Sequence, residues 1–280
     1  MKAYLDCIPC FMQQALRAGR IATSDQKKIK QILDKTGEMV KSISMQDTPA
    51  EIGMHVYRIV RDVTGVNDPY KDIKKQHIKE ANSIYAELEK WVEMSDDKLL
   101  TAIKIAIAGN VIDMGVNKSF NIIKDIKKTL HQDFGILDYE GFKKQLSKSK
   151  SILYIGDNAG ESVFDKILIK ALKKPVIYAV RSIPIINDVT MEDAIDSGLD
   201  KVSELLDSGS EAPGLILSQC SPKFLEIFNN AGLVISKGQG NYEGLSNCNR
   251  QVFFLLKAKC AVIAGDLNVQ VGDLILKNYK

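Results

Sequence analysis

The sequence predicts an α/β protein: a mostly parallel, doubly wound sheet preceded by a helical amino-terminal region. Three observations carry this. From about residue 148 short apolar runs alternate with helical patterns, as strand–helix–strand units require. Upstream of that point apolar residues recur at helical spacing, with few β-branched clusters and no internal repeat. The polar motifs fall where the apolar runs end, and in open α/β sheets ligands bind outside the carboxyl ends of the strands. The lysine- and serine-rich stretch from Glu140 to Lys150 marks the change. It divides a helical region, residues 1–147, that caps the site from an α/β region, residues 148–280, that holds it. The alternative is that the first helices pack onto the sheet and the two halves form one body.

Residues 1 to about 145 read as helices throughout. Pro9 to Arg20 opens with proline near its first turn and carries Phe11, Ala15 and Leu16 on one stripe. A second helix runs from Ser24 through Met39, with Ile29, Ile32 and Leu33 as its apolar side. Thr48, Pro49 and Glu51 form a capping-box pattern with proline at the first helical position, and the helix they open ends near Gly65. Asp68 to Tyr70 is a turn, and amphipathic helices follow over Lys74–Trp91 and Asp96–Gly109. In the second half Ile152–Ile155, Val176–Val180, Leu215–Leu217 and Leu233–Ser236 read as buried strands, with a further apolar run at Val252–Leu256. Helical patterns at Ser162–Leu172, Met191–Ser197 and Pro222–Asn230 separate them.

A chain of 280 residues, 45% hydrophobic and 26% charged, can bury a sizeable core. The net charge of +3 with scattered lysines gives no footprint for a nucleic acid polymer. No apolar run approaches the roughly 20 residues of a membrane span, and the first residues lack a signal-peptide core, so a cytoplasmic location is expected. Five cysteines, an odd number that includes a Cys-x-x-Cys pair, argue against an extracellular disulfide framework. Three histidines leave little material for a zinc finger.

Four motifs carry chemistry. The first strand runs into Gly156, Asp157, Asn158, Ala159, Gly160 and Glu161. A carboxylate beside an amide oxygen suits a hard divalent cation, and the following helix start favours an anion such as phosphate. Helix capping by Asp157 and a turn at Asn158 is the bland alternative. After the second strand, Arg181 and the pair Asn187 and Asp188 repeat that composition. With neighbouring strands, Asp157 and Asp188 approach across one crevice. Asp188 or Thr190 capping the next helix is the alternative. Arg181 offers either a fork of donors to phosphate or an ion pair on the surface. Lys237 to Gly244 places a lysine and three glycines at a third strand end, a phosphate cradle through Lys237 and the amides near Gly238 and Gly240, or else a flexible loop. Asn110 and Asp113 lie three apart in an apolar segment of the helical half, on one helix face that either closes over the crevice or makes an internal contact. Cys7 and Cys10 stand at a helix start, where a thiolate is stabilised, yet plain packed thiols are the simpler reading for all five cysteines.

Taken together, these strings resemble the metal-dependent damage-control phosphatases, long catalogued as a domain of unknown function. The resemblance rests on Gly156 to Glu161, Arg181 to Thr190, Lys237 to Glu243, Ala108 to Asp113 and Asp68 to Tyr70, and spans nearly the whole chain. Its first, archaeal-type subfamily carries a Cys-x-x-Cys, a Gly-Asn-Phe-Glu string and a Lys-Cys pair. Cys7 and Cys10, then Gly240, Asn241, Tyr242 and Glu243, then Lys259 and Cys260 are similar to these, with Tyr242 in place of phenylalanine. The resemblance implies an α/β/α sandwich behind a helical part, and divalent metal ligands at Asp157, Asn158 and Asp188. It implies hydrolysis of phosphate monoesters on small metabolites, including damaged or overflow sugar phosphates and nucleotides.

The expected chemistry is attack of a water, activated by one divalent cation (magnesium, manganese, nickel or cobalt), on a small phosphorylated metabolite. Lys237 and Arg181 are expected to neutralise phosphoryl oxygens, and Glu161, Glu243 or Asp113 to position the water or bind substrate hydroxyls. Two other readings stand beside it. A methyltransferase would bind S-adenosylmethionine at the glycine turn, although Gly156 to Gly160 is not Gly-x-Gly-x-x-Gly. A phosphometabolite sensor would use the crevice without turnover. Cys7, Cys10 and Cys260 either meet in a redox or metal site or pack as thiols against the sheet.

Overall fold

The structure, a computed structural model, describes residues 1–109 and 122–279. Seven strands form one sheet: β1 (Phe134–Leu137), β2 (Ile152–Ile155), β3 (Val176–Val180), β4 (Glu204–Asp207), β5 (Leu233–Lys237), β6 (Val252–Lys257) and β7 (Leu274–Tyr279). Their order is β1-β7-β6-β5-β2-β3-β4. All neighbours are parallel except β6 and β7. β2 is the pivot: the chain moves outward from it through β3 and β4, then crosses back to β5 on its other side. The carboxyl ends of β2 and β5 therefore flank a switch point, where such sheets leave a crevice.

Along β2 the side chains alternate between two cores. Ile152 and Tyr154 enter one cluster, and Leu153 and Ile155 the other. On the first face lie α4 (Lys71–Glu93), α5 (Lys98–Gly109), α6 (Ile122–His131), α7 (Tyr139–Lys148), α8 (Ser162–Leu172) and α9 (Met191–Ser197). On the second lie α10 (Pro222–Asn230), α11 (Gly238–Leu245) and α12 (Ala261–Leu267). The sandwich is thus covered on both faces, which is why β2 and β5 are buried at every position rather than alternating.

The first three helices, α1 (Cys7–Ala22), α2 (Gln26–Val40) and α3 (Pro49–Thr64), bury a third cluster around Phe11, Ala15, Ile32, Val56 and Val60. Ile185 and Ile186, from the turn after β3, enter this cluster and join the helical layer to the sheet's carboxyl edge. The expected capping box is present: Glu51 N–H donates to Thr48 Oγ1 (3.2 Å) and Thr48 N–H to Glu51 Oε2 (2.8 Å), with Pro49 at the first helical position. Gly65 ends the helix in the left-handed region, φ 75°.

Several expected elements are corrected. Leu215–Leu217 is not a strand. Gly214 and Leu215 lie against α11, with the Leu215 carbonyl at Gly244, so this backbone is committed to helix packing rather than to a ladder. The strand in that part of the chain is β4, whose glutamate and aspartate ends disguise an edge strand with one buried residue. β1 lies in the region read as helical throughout; its four residues include Gly135, and they pair in parallel with β7. The glycine string after β5 is a helix, α11, and not a flexible loop. No helix among the described residues is long and apolar enough to cross a membrane. Thr48→Ala is expected to lower the unfolding free energy by about 1 kcal/mol through loss of the cap, read from urea denaturation.

Candidate active site

Three turns meet at the carboxyl edge of β2, β3 and β5. After β2 the chain passes Gly156, where a Cβ would sit 2.4 Å from the Tyr178 hydroxyl, and delivers Asp157 and Asn158. The turn after β3 doubles back alongside them. Val189 N–H donates to the Asp157 carbonyl (2.8 Å), Ala159 N–H donates to the Asn187 carbonyl (2.8 Å), and Asn158 and Asp188 form an antiparallel bridge. Backbone pairing thus sets the three oxygen-bearing residues side by side. The turn carries a strained residue, the β-branched Ile186 at φ 45°.

Hydrogen bonds then fix the side chains. Asn158 Nδ2 donates to Asp157 Oδ2 (3.0 Å) and to Glu161 Oε2 (3.2 Å), which leaves its carbonyl oxygen as the acceptor. Arg181, only 1% exposed, donates from Nε to Asp188 Oδ2 (2.9 Å) and from Nη2 to Asn241 Oδ1 (2.7 Å). Asn241 in turn donates to the carbonyls of Gly156 (2.9 Å) and Lys237 (2.7 Å), tying the ends of β2 and β5 together. The surface reading of Arg181 does not hold: it is a buried partner of Asp188 and Asn241, and its Nη1 is buried with no hydrogen-bond partner among the described residues.

Lys237 also departs from expectation. Its ammonium is wholly buried beneath the site, where it donates to the Ala106 carbonyl (2.8 Å), to Asp165 Oδ1 (2.7 Å) and to Glu161. Three acceptors match the three donors of an ammonium, so Lys237 anchors Glu161 from below. Asp165 is held further by the hydroxyls of Tyr154 (2.6 Å) and Tyr178 (2.8 Å). Sequence reading missed Asp165, although its signal was there: a lone aspartate one turn after Glu161, in the apolar first turns of α8.

Burial dominates the electrostatics. Asp157 is pushed above the usual carboxylate range by desolvation, then by the charges of Asp188 and Glu161, against the pull of Lys259 and Arg181. Asp188 is raised by burial and held back by Arg181. Glu161 is raised by burial, with Lys237 opposing. The surroundings therefore leave negative charge at Asp157 and Asp188 under-compensated, and two carboxylates with an amide oxygen are donors for a hard cation. No group of three or more His, Cys, Asp or Glu among the described residues is arranged to hold a metal; the present trio, with its asparagine, is of another kind.

Above the trio opens a cleft of about 630 Å³. One wall is a face of α1 carrying Cys7, Cys10, Gln14 and Arg17; another is α11 with Gln239, Gly240 and Glu243. Tyr57 and Tyr70 add aromatic surface, Tyr70 from the predicted Asp68–Tyr70 turn. Cys7, Cys10 and Cys260 do share this cleft, as the common-site reading requires, but burial raises the Cys7 and Cys10 thiols above their ordinary range, the opposite of a reactive thiolate. Burial pushes the Glu243 carboxyl up to about 7, with Gln239 Nε2 (3.1 Å) opposing. Tyr242 belongs to the core, donating to Asp266 Oδ2 (2.7 Å) and packing edge-on against Phe254. Sequence reading gave no hint of Lys74, which bridges Asp68 (2.9 Å) and Asp193 (2.8 Å) and whose charge bears on Asp188. Asn110 and Asp113 lie outside the described residues.

An α/β sandwich with paired acidic residues at its switch point is an architecture for binding anionic ligands with a cation. Residues 3–275 match the damage-control phosphatase ARMT1-like domain, and the chain belongs to that family. It is 32% identical to the damage-control phosphatase PH1575 of Pyrococcus horikoshii, over all of this chain and 99% of that protein. It is 32% identical to a damage-control phosphatase of Archaeoglobus fulgidus, over 97% of each, and 35% identical to the uncharacterized protein MJ0202 of Methanocaldococcus jannaschii, over 97% of this chain and 93% of that one. The crystal structure of the Pyrococcus horikoshii protein, described as a DUF89 family protein, superposes with a TM-score of 0.92 over the whole of both chains. The family and the α/β fold read from the sequence are borne out.

Two outcomes are expected. Gly238 has φ +77°, and a Cβ there would fall 1.8 Å from Asp157 Oδ2. Gly238→Ala should therefore cost at least about 2 kcal/mol, measured by urea unfolding. Because Glu243 keeps its proton to higher pH in the folded state than in the unfolded one, stability falls as pH rises from about 4.5 to about 7 and then levels. Glu243→Gln should flatten that slope and gain on the parent above pH 7, by at most about 3 kcal/mol, measured as unfolding free energy against pH.

Proposed function

We propose that this protein is a divalent-metal-dependent phosphatase that hydrolyses phosphate monoesters of small metabolites, damaged or overflow sugar phosphates or nucleotides among them. The observation that carries the reading is the pair of buried carboxylates, Asp157 and Asp188, brought together by a backbone bridge and left short of positive charge. Membership of the damage-control phosphatase family supports it.

In this reading Asp157, Asn158 and Asp188 hold the cation. When bound, a divalent ion there supplies Lewis-acid stabilisation of the phosphoryl group and lowers the pKa of water. Oxygen donors accept magnesium, manganese, cobalt or nickel. The remaining residues act by position. Arg181 fixes the rotamer of Asp188, Glu161 turns the Asn158 carbonyl oxygen outward, and Lys237 holds Glu161. The amino end of α11, with Gln239 and Gly240 on the cleft wall, presents backbone N–H groups to a phosphate. The helical layer walls the cleft. Nothing in the relatives supports the methyltransferase or sensor alternatives.

Asp157→Ala should cut metal-stimulated phosphate release from a panel of sugar phosphates and nucleotides by more than ~100-fold, exceeding the usual cost of losing a group that merely orients a ligand. It should also weaken manganese binding measured by calorimetry. Full activity in this variant would remove the basis of the proposal.

A further inference from the structure

Lys74 stands about one turn into α4 and is only 2% exposed. Its ammonium bridges two carboxylates, Asp68 Oδ2 (2.9 Å) and Asp193 Oδ2 (2.8 Å). Taking an ammonium out of water is expensive, and an apolar contact of similar size often joins two helices as well. The exposed pair Lys71–Glu192 (3.3 Å) already links α4 to α9. What the buried bridge adds is a fixed position for the groups at its two ends.

One end is Asp193, in the first turn of α9. Its Oδ2 also accepts from Thr190 N–H (3.0 Å) and Thr190 Oγ1 (2.6 Å), so a single oxygen gathers three donors. Thr190 lies two residues beyond Asp188. Between them Val189 is held on both sides: its N–H donates to the Asp157 carbonyl (2.8 Å), and its carbonyl accepts from Arg181 N–H (3.0 Å). Fixing Thr190 therefore closes the downstream end of the turn that carries Asp188. Upstream stands the strained Ile186, φ 45°. The other end of the bridge is Asp68, whose Oδ1 accepts from Tyr70 N–H (3.1 Å), and Tyr70 lines the cleft. His77, three residues on and on the same face of α4, abuts Gly160, where a Cβ would fall 2.8 Å from the His77 Cβ. One face of α4 thus bears on both turns that bring Asp157, Asn158 and Asp188 together.

We infer that Lys74 is a positioning residue of the active site: it clamps the Tyr70 wall of the cleft to the start of α9 and so fixes where Asp188 stands toward a cation. This rests on the metal-dependent phosphatase reading above. Two effects of the lysine on a cation oppose each other, which makes the role measurable. Its positive charge bears on Asp188, so by charge alone it opposes a metal ion there. Its bridge holds the turn in place, so by geometry it favours one. Were Lys74 only a strut of the fold, deleting it would lower stability and leave cation affinity unchanged or improved. As a positioning residue, its loss weakens cation binding even though a repulsion is relieved.

The experiment is calorimetric titration of the full chain with manganese, for the parent, Lys74→Met, Thr190→Val and Lys71→Met, each checked by circular dichroism to be folded at the titration temperature. Lys74→Met should bind manganese about tenfold more weakly, the scale of losing a group that orients a metal ligand from behind. Thr190→Val, which removes one bond to Asp193 and no charge, should weaken binding in the same direction, and it decides alone if Lys74→Met does not fold. Lys71→Met, which removes a lysine charge and a surface ion pair between the same two helices, should stay within about twofold of the parent. Manganese affinity equal to or tighter than the parent's in Lys74→Met, or in Thr190→Val where it decides, overturns the inference and leaves the phosphatase reading intact. A loss in Lys71→Met as large as in Lys74→Met also overturns it, because the position of Asp193 would then not be the cause. A parent protein that binds none of manganese, magnesium, cobalt and nickel overturns both.

Discussion

Two carboxylates, Asp157 and Asp188, stand next to each other where water is scarce, and the rest of the site is arranged around that unfavourable fact. Burial strips both of hydration, and at Asp157 the charges of Asp188 and Glu161 add to that cost, so each holds its proton more tightly than usual. The fold relieves this only in part. Arg181 pairs with one oxygen of Asp188, and Asn158 donates to one oxygen of Asp157. Such partial relief suits a cation site: enough to keep the oxygen donors in place, too little to make a cation redundant. Family membership then says what class of chemistry evolution has put there.

Beneath the carboxylates lies a second charged layer with no access to water. Lys237, Glu161 and Asp165, with the hydroxyls of Tyr154 and Tyr178, form a closed set in which every charge has an opposite neighbour. Buried ion pairs contribute little net stability but are costly to break. Their value here is geometric. Glu161 leans on Lys237 and holds Asn158, so the amide is oriented from a rigid base rather than by a surface side chain. The same economy appears in the glycines. Gly238 lets α11 start against Asp157, and Gly240 and Gly244 let it lie on the backbone of residues 213–215, closer than any Cβ permits.

The helical layer has a different role. Its own core, around Phe11, Ile32 and Val56, makes α1 to α3 a unit that meets the sheet's carboxyl edge through Ile185 and Ile186. Its inner face carries Cys7, Cys10, Gln14 and Arg17 at one-turn intervals above the carboxylates. The substrate's organic part would meet this face, while the phosphate meets the sheet edge. Cys7, Cys10 and Cys260 fit that division as thiols of a cleft wall, the protons of Cys7 and Cys10 held by burial.

Much of this was legible in the chain. Local signals are enough to place a helix: Thr48 and Glu51 with Pro49 specify a cap by chemistry confined to one turn, and fully apolar runs such as Ile152–Ile155 specify strands covered on both faces. Residues that act through strand ends were legible too, because a parallel sheet delivers them to one edge: Asp157, Asn158 and Asp188 were read this way and do meet. Edge strands were not legible, since β4 shows its charged ends and β1 alternates half-buried with exposed residues, and neither needs a continuous apolar face. Charge pairing was the other blind spot. A lysine at a strand end looks the same in sequence whether its ammonium faces a substrate or is buried on two carboxylates. Only the three-dimensional packing, which sets Ala106, Glu161 and Asp165 around Lys237 and leaves Lys259 on the cleft wall, decided which lysine is where. The sequence by itself determined the layers and the turns that carry Asp157, Asn158 and Asp188, because backbone propensity and burial are local; tertiary structure decided the division of charge among them, because electrostatic partners come from elements far apart in the chain.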